Sequence, residues 1–409
     1  MQKNTKDFFV KKKEWSEVKD ALLECYLKPY FTKILHTYKP INYVDCFAGQ
    51  GKFDDGKPGS PILALNIIAG CMKSVKSKKS KKRFSFPKVH KYFIERDYAD
   101  ALKENLKGYR DVSVLEGTYQ ERIREILEHK TNENVFLYVD PFGIKCLDFN
   151  LYDYYKNSNF STIELLINFN SFGFIREACR VKKKENANIS EIDSIINNIG
   201  GLGTLVESEQ ELNNIAGGDY WVQIIEEFYQ DKITCYEAEK KFSEMYCNKL
   251  KERFKYVVNM PIRLKAGQQP KYRMIHATNN EDGCLLMVQN ICNRWKNLSS
   301  IQIKNSAPSL FEENIENEII DESYTRGIIL EQLKKYTAPI HMNNFLSELF
   351  TNQGIFTTWA ILQKTIRAME KSGEIYLRRN PEFTNTGKKA TFINESKKEN
   401  HSVEIWIQK

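Results

Sequence analysis

The chain has 409 residues, 41% hydrophobic and 28% charged, with a formal net charge of +8. Its length predicts two or three domains of about 100–200 residues and enough apolar side chains for a core. No apolar run reaches the roughly 18 residues of a membrane helix, and "MQKNTKDFFVKKKEW" lacks a signal peptide's apolar stretch. Nine cysteines without a CxxC pair point to reduced thiols in a cytoplasm. The six histidines have no ligand spacing, so no metal is expected.

In chain order, residues 7–37 carry apolar residues at helical spacing, and one or two helices fit, broken near Pro29. "INYVDCF" predicts the first strand, and "GSPILALNIIAGCM" a helix with Ser60 as cap and Pro61 in its first position. A basic insert follows: Lys73 to Lys91 holds nine Lys/Arg and no acid, whereas the remaining 52 bases balance 53 acids. Within it Lys78, Lys79, Lys81, Lys82 and Arg83 make either a solvated surface loop or a mobile arm for phosphate. Strands follow at "HKYFIERD", "VSVLEGT", "VFLYVDPF" and "TIELLINFN", with helices "YADALKENLK" and "YQERIREILEHK" between them. This βαβ order predicts a parallel sheet covered by helices. Residues 218–255 read as helical, and "KYVVNMPIRL" and "KYRMIHATNNEDGCLLMV" as an antiparallel hairpin.

Residues 296–322 turn polar and acidic, and 301–322 reads as a linker between a domain at 1–300 and a second at 323–409. The tail reads as helices 325–336, 341–351 and 357–372, followed by "GEIYLRR", a turn and "ATFIN": a winged helix. It holds 13 bases and 8 acids over residues 325–409. Lys364, Arg367 and Lys371 share one side of its third helix, and Arg378, Arg379, Lys388 and Lys389 fall on the wing. These residues suit phosphate contacts, although winged helices also serve protein contacts alone.

The strand ends carry the chemistry. An acid closing a strand before a glycine turn marks a nucleotide-type edge. "GQGKFD" departs from GxGxxG, and Lys57 is followed by Pro58, so neither a dinucleotide nor a P-loop site fits. Asp54 and Asp55 beside the turn disfavour a phosphate and tolerate a phosphate-free cation such as S-adenosyl-L-methionine. Four successive strands end in a carboxylate: Asp45, Glu95, Glu116 and Asp140. Candidate cofactor-binding residues are Asp45, Phe47, Ala48, Gly49, Gly51, Glu95, Glu116, Gly117 and Thr118.

"KKEWSEVK" with "YLKPYF", then "YVDCFAGQGKFDDGKPGSPILA" and "LYVDPFG", resemble the TcmP family, the partners of three-Cys-motif proteins, over about the first 300 residues. The resemblance implies an α/β fold with the Rossmann-like sheet of class I methyltransferases, mostly parallel and closed by an antiparallel hairpin. It also implies a partner with clustered cysteines that resembles radical S-adenosylmethionine enzymes. "DPFG" is similar to the DPPY, NPPF and DPFG motifs of enzymes methylating exocyclic base amines. On that likeness Asp140 and the Pro141 carbonyl orient the amine and Phe142 stacks the base. The competing reading makes Asp140 a turn cap and Phe142 a core residue. Trp15 and Lys19, and Asn168 and Asn170, are further candidates for the cleft, each with an ordinary packing or turn role as alternative. Three functions stay open: a nucleic-acid methyltransferase, a non-catalytic nucleic-acid-binding scaffold for the partner, and a methyltransferase for a small molecule or protein.

Overall fold

Seven strands form one sheet in the first of two compact units, Met1–Leu264 with Gln268–Asn279; the second is Lys265–Gly267 with Asn280–Lys409. The computed structural model describes residues 9–78, 87–183, 190, 192–193, 205–262, 272–292, 322–396 and 400–408.

The first unit opens with α1 (Glu14–Ile34), one helix running through Pro29 rather than two. A proline inside a helix costs about 3 kcal/mol. Leu22, Leu23, Tyr26, Leu27, Tyr30 and Phe31 are all at most 2% exposed, and each contributes about 1.5–3 kcal/mol on burial, so packing outweighs the break. Next come β1 (Ile41–Asp45), α2 (Ser60–Lys78), β2 (Val89–Glu95), α3 (Ala99–Asn105), β3 (Val112–Glu116), α4 (Tyr119–Leu127) and β4 (Asn134–Val139). The basic insert is therefore partly regular: residues 73–78 extend α2, Val89 opens β2, and 79–86 lie outside the described residues.

Then follow α5 (Phe149–Lys156), β5 (Thr162–Phe169), α6 (Ser171–Val181), α7 (Glu209–Ala216), α8 (Trp221–Tyr229), α9 (Cys235–Lys251), β6 (Tyr256–Ile262) and β7 (Tyr272–Thr278). The sheet order is β3-β2-β1-β4-β5-β7-β6. Neighbours from β3 to β5 pair parallel, and β7 runs antiparallel to both β5 and β6. This is a Rossmann-like sheet with the hairpin expected above. Every residue of β1 and β4 is buried, which fixes the chain turns after them at the middle of the sheet edge.

The second hairpin strand stops earlier than expected. Asn280 Oδ1 accepts from the Gly283 amide at 3.1 Å and caps a helix, α10 (281–292), where "EDGCLLMV" had read as strand. This helix belongs to the second unit: Cys284 and Cys292 donate to the Ser347 and Thr357 carbonyls at 3.9 and 3.2 Å. The division thus falls after Asn279, and the linker expected at 301–322 lies, up to residue 321, outside the described residues.

The second unit continues with α11 (Glu322–Leu333), β8 (Ile340–His341), α12 (Met342–Gln353), α13 (Trp359–Ser372), β9 (Tyr376–Asn380) and β10 (Ser402–Trp406). Its strands form an antiparallel sheet in the order β8-β10-β9. The partner of β9 is residues 402–406, not "ATFIN". Val403 and Ile405 alternate into the core, both 0% exposed, while the Phe392 carbonyl is taken by Arg379 Nε at 2.8 Å. No described helix is long and apolar enough to cross a membrane.

Candidate functional site

A cavity of about 280 Å³ lies in the first unit at the ends of β1, β2, β3, β4 and β5, near the lower end of small-molecule sites at about 300 Å³. The α/β rule for open sheets puts ligands there, where the strand order reverses between β1 and β4.

The turn after β1 makes one wall. Gly49 and Gly51 have φ of +60° and +79°, a left-handed region that favours glycine. A Cβ at Gly51 would stand 2.9 Å from Leu102 Cδ1, and one at Gly49 3.2 Å from the Phe9 ring. Backbone is therefore pressed between the N-terminal segment and α3. Phe9 also meets Tyr98 edge-on with centroids 4.8 Å apart, and its carbonyl accepts from Asp54 N at 2.9 Å.

Glu95 ties this wall to β2. Its Oε2 accepts from Gly49 N at 2.8 Å, and Oε1 accepts from Asp97 N and Tyr98 N at 2.9 and 3.2 Å. One carboxylate thus sets the distance between two loops.

Asp45 does not line the cavity. It is 0% exposed, and its oxygens accept from Ser60 Oγ at 2.7 Å and Phe47 N at 3.3 Å. It supports the glycine turn from beneath, which also corrects Ser60 from simple helix cap to partner of Asp45. Burial pushes its carboxyl up to about 7, while the bonds from Ser60 and Phe47 pull it down. Glu116 is likewise outside: its side chain is 66% exposed and faces Lys103 Nζ at 3.7 Å. β3 is the edge strand and none of its residues is fully buried, so its last side chain reaches solvent. Phe47, Ala48, Gly49, Gly51, Glu95, Gly117 and Thr118 do line the cavity, and Thr118 caps α4 in a capping box with Glu121.

Asp140, Pro141 and Phe142 lie on the same cavity. Asp140 Oδ1 accepts from Lys19 Nζ at 2.7 Å and Asn168 Nδ2 at 2.6 Å; Oδ2 accepts from Tyr138 OH at 3.3 Å. Phe142 is 49% exposed, against the reading that it packs in the core. Asn170 lines the cavity and also caps α6, its Oδ1 accepting from Gly173 N at 2.9 Å. The side chain of Trp15 is outside the described residues, but α1 sends Ser16, Lys19 and Asp20 to the cavity. Burial raises the Asp20 carboxyl to about 6, opposed by its partner Lys12. Four carboxylates (Asp20, Glu95, Asp97, Asp140) face three cations (Lys19, Lys52, Arg96) in the lining, with Asp45 below.

Sequence reasoning missed Phe9, Asp20, Arg96, Tyr98 and Tyr272, which also line the cavity. Tyr272 opens β7, and only the sheet order, which seats β7 against β5, brings it here. Arg96 and Tyr98 follow a strand end already singled out, so their positions were accessible; no motif marks Phe9.

The basic residues of the second unit divide. Arg379 is 9% exposed and makes a bidentate pair with Glu370 at 2.6 and 2.7 Å, so it is not a wing contact. Lys364 pairs with Glu322 and Arg378 with Glu404. Arg367, Lys371, Lys388 and Lys389 are exposed. Lys79, Lys81, Lys82, Arg83 and the side chain of Lys78 lie outside the described residues. No cluster of metal-ligating side chains occurs among the described residues.

No family model matches the chain, and no curated protein matches it. Among solved structures, a loganic acid methyltransferase with SAH is similar at 11% identity, covering 71% of this chain and 88% of that one, with a TM-score of 0.27. At that score the likeness carries no weight beside the chain's own geometry, which defines a Rossmann-like domain with a carboxylate-rich cavity at its switch point.

Proposed function

We propose that the chain is an S-adenosyl-L-methionine-dependent methyltransferase acting on an exocyclic amine of a nucleic-acid base. The observation that carries this reading is the single cavity shared by the Glu95-braced glycine turn and the Asp140-Pro141-Phe142 corner. β2 and β4 flank β1, so these ends stand about 10 Å apart, two strand spacings, a span that a nucleoside with a sulfonium side arm bridges. The excess of carboxylates in the lining suits a cation and disfavours a phosphate.

When bound, the cofactor supplies a methyl group on a positively charged sulfur, which is left as a neutral thioether. Glu95 has accepted three amides, and a carboxylate has about four acceptor sites, so one remains for a ribose hydroxyl. Asp140 Oδ2 accepts the N–H of the attacking amine and takes the proton that nitrogen sheds once its lone pair has formed the new N–C bond. Phe142 stacks the base plane, and alignment of amine with sulfur provides much of the rate.

The tail, read as a winged helix, would hold the nucleic acid through Arg367, Lys371, Lys388 and Lys389, and the three-Cys-motif partner of the TcmP resemblance would act with it. A second reading, a scaffold that binds nucleic acid for that partner without methylating, is favoured by the exposure of those four bases. Transfer from labelled cofactor to DNA, RNA and protein fractions separates the readings. Asp140→Ala is expected to keep S-adenosylhomocysteine binding and lose transfer to nucleic acid. Label appearing equally with Asp140→Ala, or only in protein, would refute the base-amine reading.

A further inference from the structure

The N-terminal helix brings a lysine onto the acceptor carboxylate. Lys19 projects from α1, is 9% exposed, and lines the cavity. Its Nζ donates to Asp140 Oδ1 at 2.7 Å and lies 5.6 Å from the Tyr272 ring centroid. Asn168 donates to the same oxygen at 2.6 Å. Two donors fill the two acceptor directions of Oδ1. Oδ2 carries only the longer bond from Tyr138, so it is the oxygen with an acceptor site to spare.

We propose that Lys19 is a positioning residue of the acceptor half: its ammonium fixes Asp140 and cancels its charge, so that the site offers one acceptor atom to a neutral amine. This rests on the cofactor reading above. As a matched pair, Lys19 and Asp140 add no net pull of their own on an alkylammonium such as a lysine side chain. It suits a weakly basic amine conjugated to a ring, uncharged near neutral pH, whose N–H meets Oδ2. A lone Asp140 carboxylate, held only by Asn168 and Tyr138, would instead draw a cation into the place of the acceptor.

The test uses two ligands and needs no substrate. S-adenosylhomocysteine is uncharged where the sulfonium would be; sinefungin carries an amine in place of the sulfonium methyl. Calorimetry on the full chain gives the ratio of their affinities. A unit charge at a separation on the order of 6 Å in a partly solvated site is worth roughly a 3- to 30-fold change in that ratio. Lys19→Met is expected to shift the ratio toward sinefungin by that factor, and Lys19→Arg to leave it near the wild-type value. Asp140→Asn is expected to shift it the other way. Lys19→Met with Asp140→Asn leaves no lone charge, so it folds even where the single variant does not, and its ratio returns to within about threefold of wild type. Equal losses for both ligands, with the ratio unmoved in Lys19→Met and Asp140→Asn, would reduce Lys19 to a helix anchor and overturn the proposal. Wild-type protein that binds neither ligand would overturn the cofactor reading, and this proposal with it.

Discussion

Glu95→Gln changes one atom of the brace between two loops that line the cavity. The carboxylate accepts Gly49 N on one oxygen and the amides of Asp97 and Tyr98 on the other. Glutamine has one carbonyl oxygen and an NH2 group, so at least one of these loops must face a donor with a donor. Hydrogen bonds to a charged group contribute about 1.5–3 kcal/mol each. The side chain is partly open to water, which replaces some of that loss, so about 1.5–3 kcal/mol in all is expected. At 1.4 kcal/mol per tenfold, S-adenosylhomocysteine affinity should fall roughly 10- to 100-fold. Calorimetric titration reads the affinity, and thermal unfolding checks that the fold persists. An affinity within twofold of wild type would show that Glu95 does not organise the site.

Asp45 gives a pH signature. Burial raises its folded pKa to about 7 from the ordinary aspartate value of 3.8. The native state therefore holds a proton that the unfolded chain has released, and the stability present below about pH 4 is lost as pH rises to about 7. Asp45→Asn removes that slope: it should match wild type near pH 4 and exceed it by about 2–4 kcal/mol at pH 8, read by denaturant unfolding across pH; parallel curves would refute the burial argument. Arg273 and Glu239 form a bidentate pair at 2.7 Å, with Ser171 on the same carboxylate. Both side chains are under 10% exposed, so Glu239→Ala strands a buried guanidinium at a cost of about 3–5 kcal/mol. A fall in Tm of about 6–15 °C is expected by calorimetry; a fall under 2 °C would contradict it.

The sheet was legible because its strands are short apolar runs separated by helical periods. β1 and β4 are buried throughout, so pattern and burial agree. The site was legible where one residue both closes a strand and lines the cavity, as at Glu95 and Asp140. Asp45 was placed on the right loop but on the wrong side of it, because periodicity does not tell a rim carboxylate from one that bonds Ser60 beneath the rim. Glu116 failed for another reason: a strand's place at the sheet edge is a property of the whole order. Lys19 was a candidate from the sequence and does line the cavity, whereas Asp20 and Tyr272 come from elements distant in sequence and only tertiary packing assembles them. In the tail, basic residues at helical spacing do not disclose which are already paired, and Arg379 is satisfied by Glu370 nine residues before it.

The most direct measurement is calorimetric titration of the purified full chain with S-adenosyl-L-methionine and S-adenosylhomocysteine at pH 5.5 and pH 8. Asp20 and Asp45, raised to about 6 and about 7, both lose protons across that interval, so the cavity gains negative charge. One molecule of either ligand should bind per chain, and the preference for the sulfonium over the neutral thioether should grow at pH 8. Folded protein that takes up neither ligand at millimolar concentration would contradict the account.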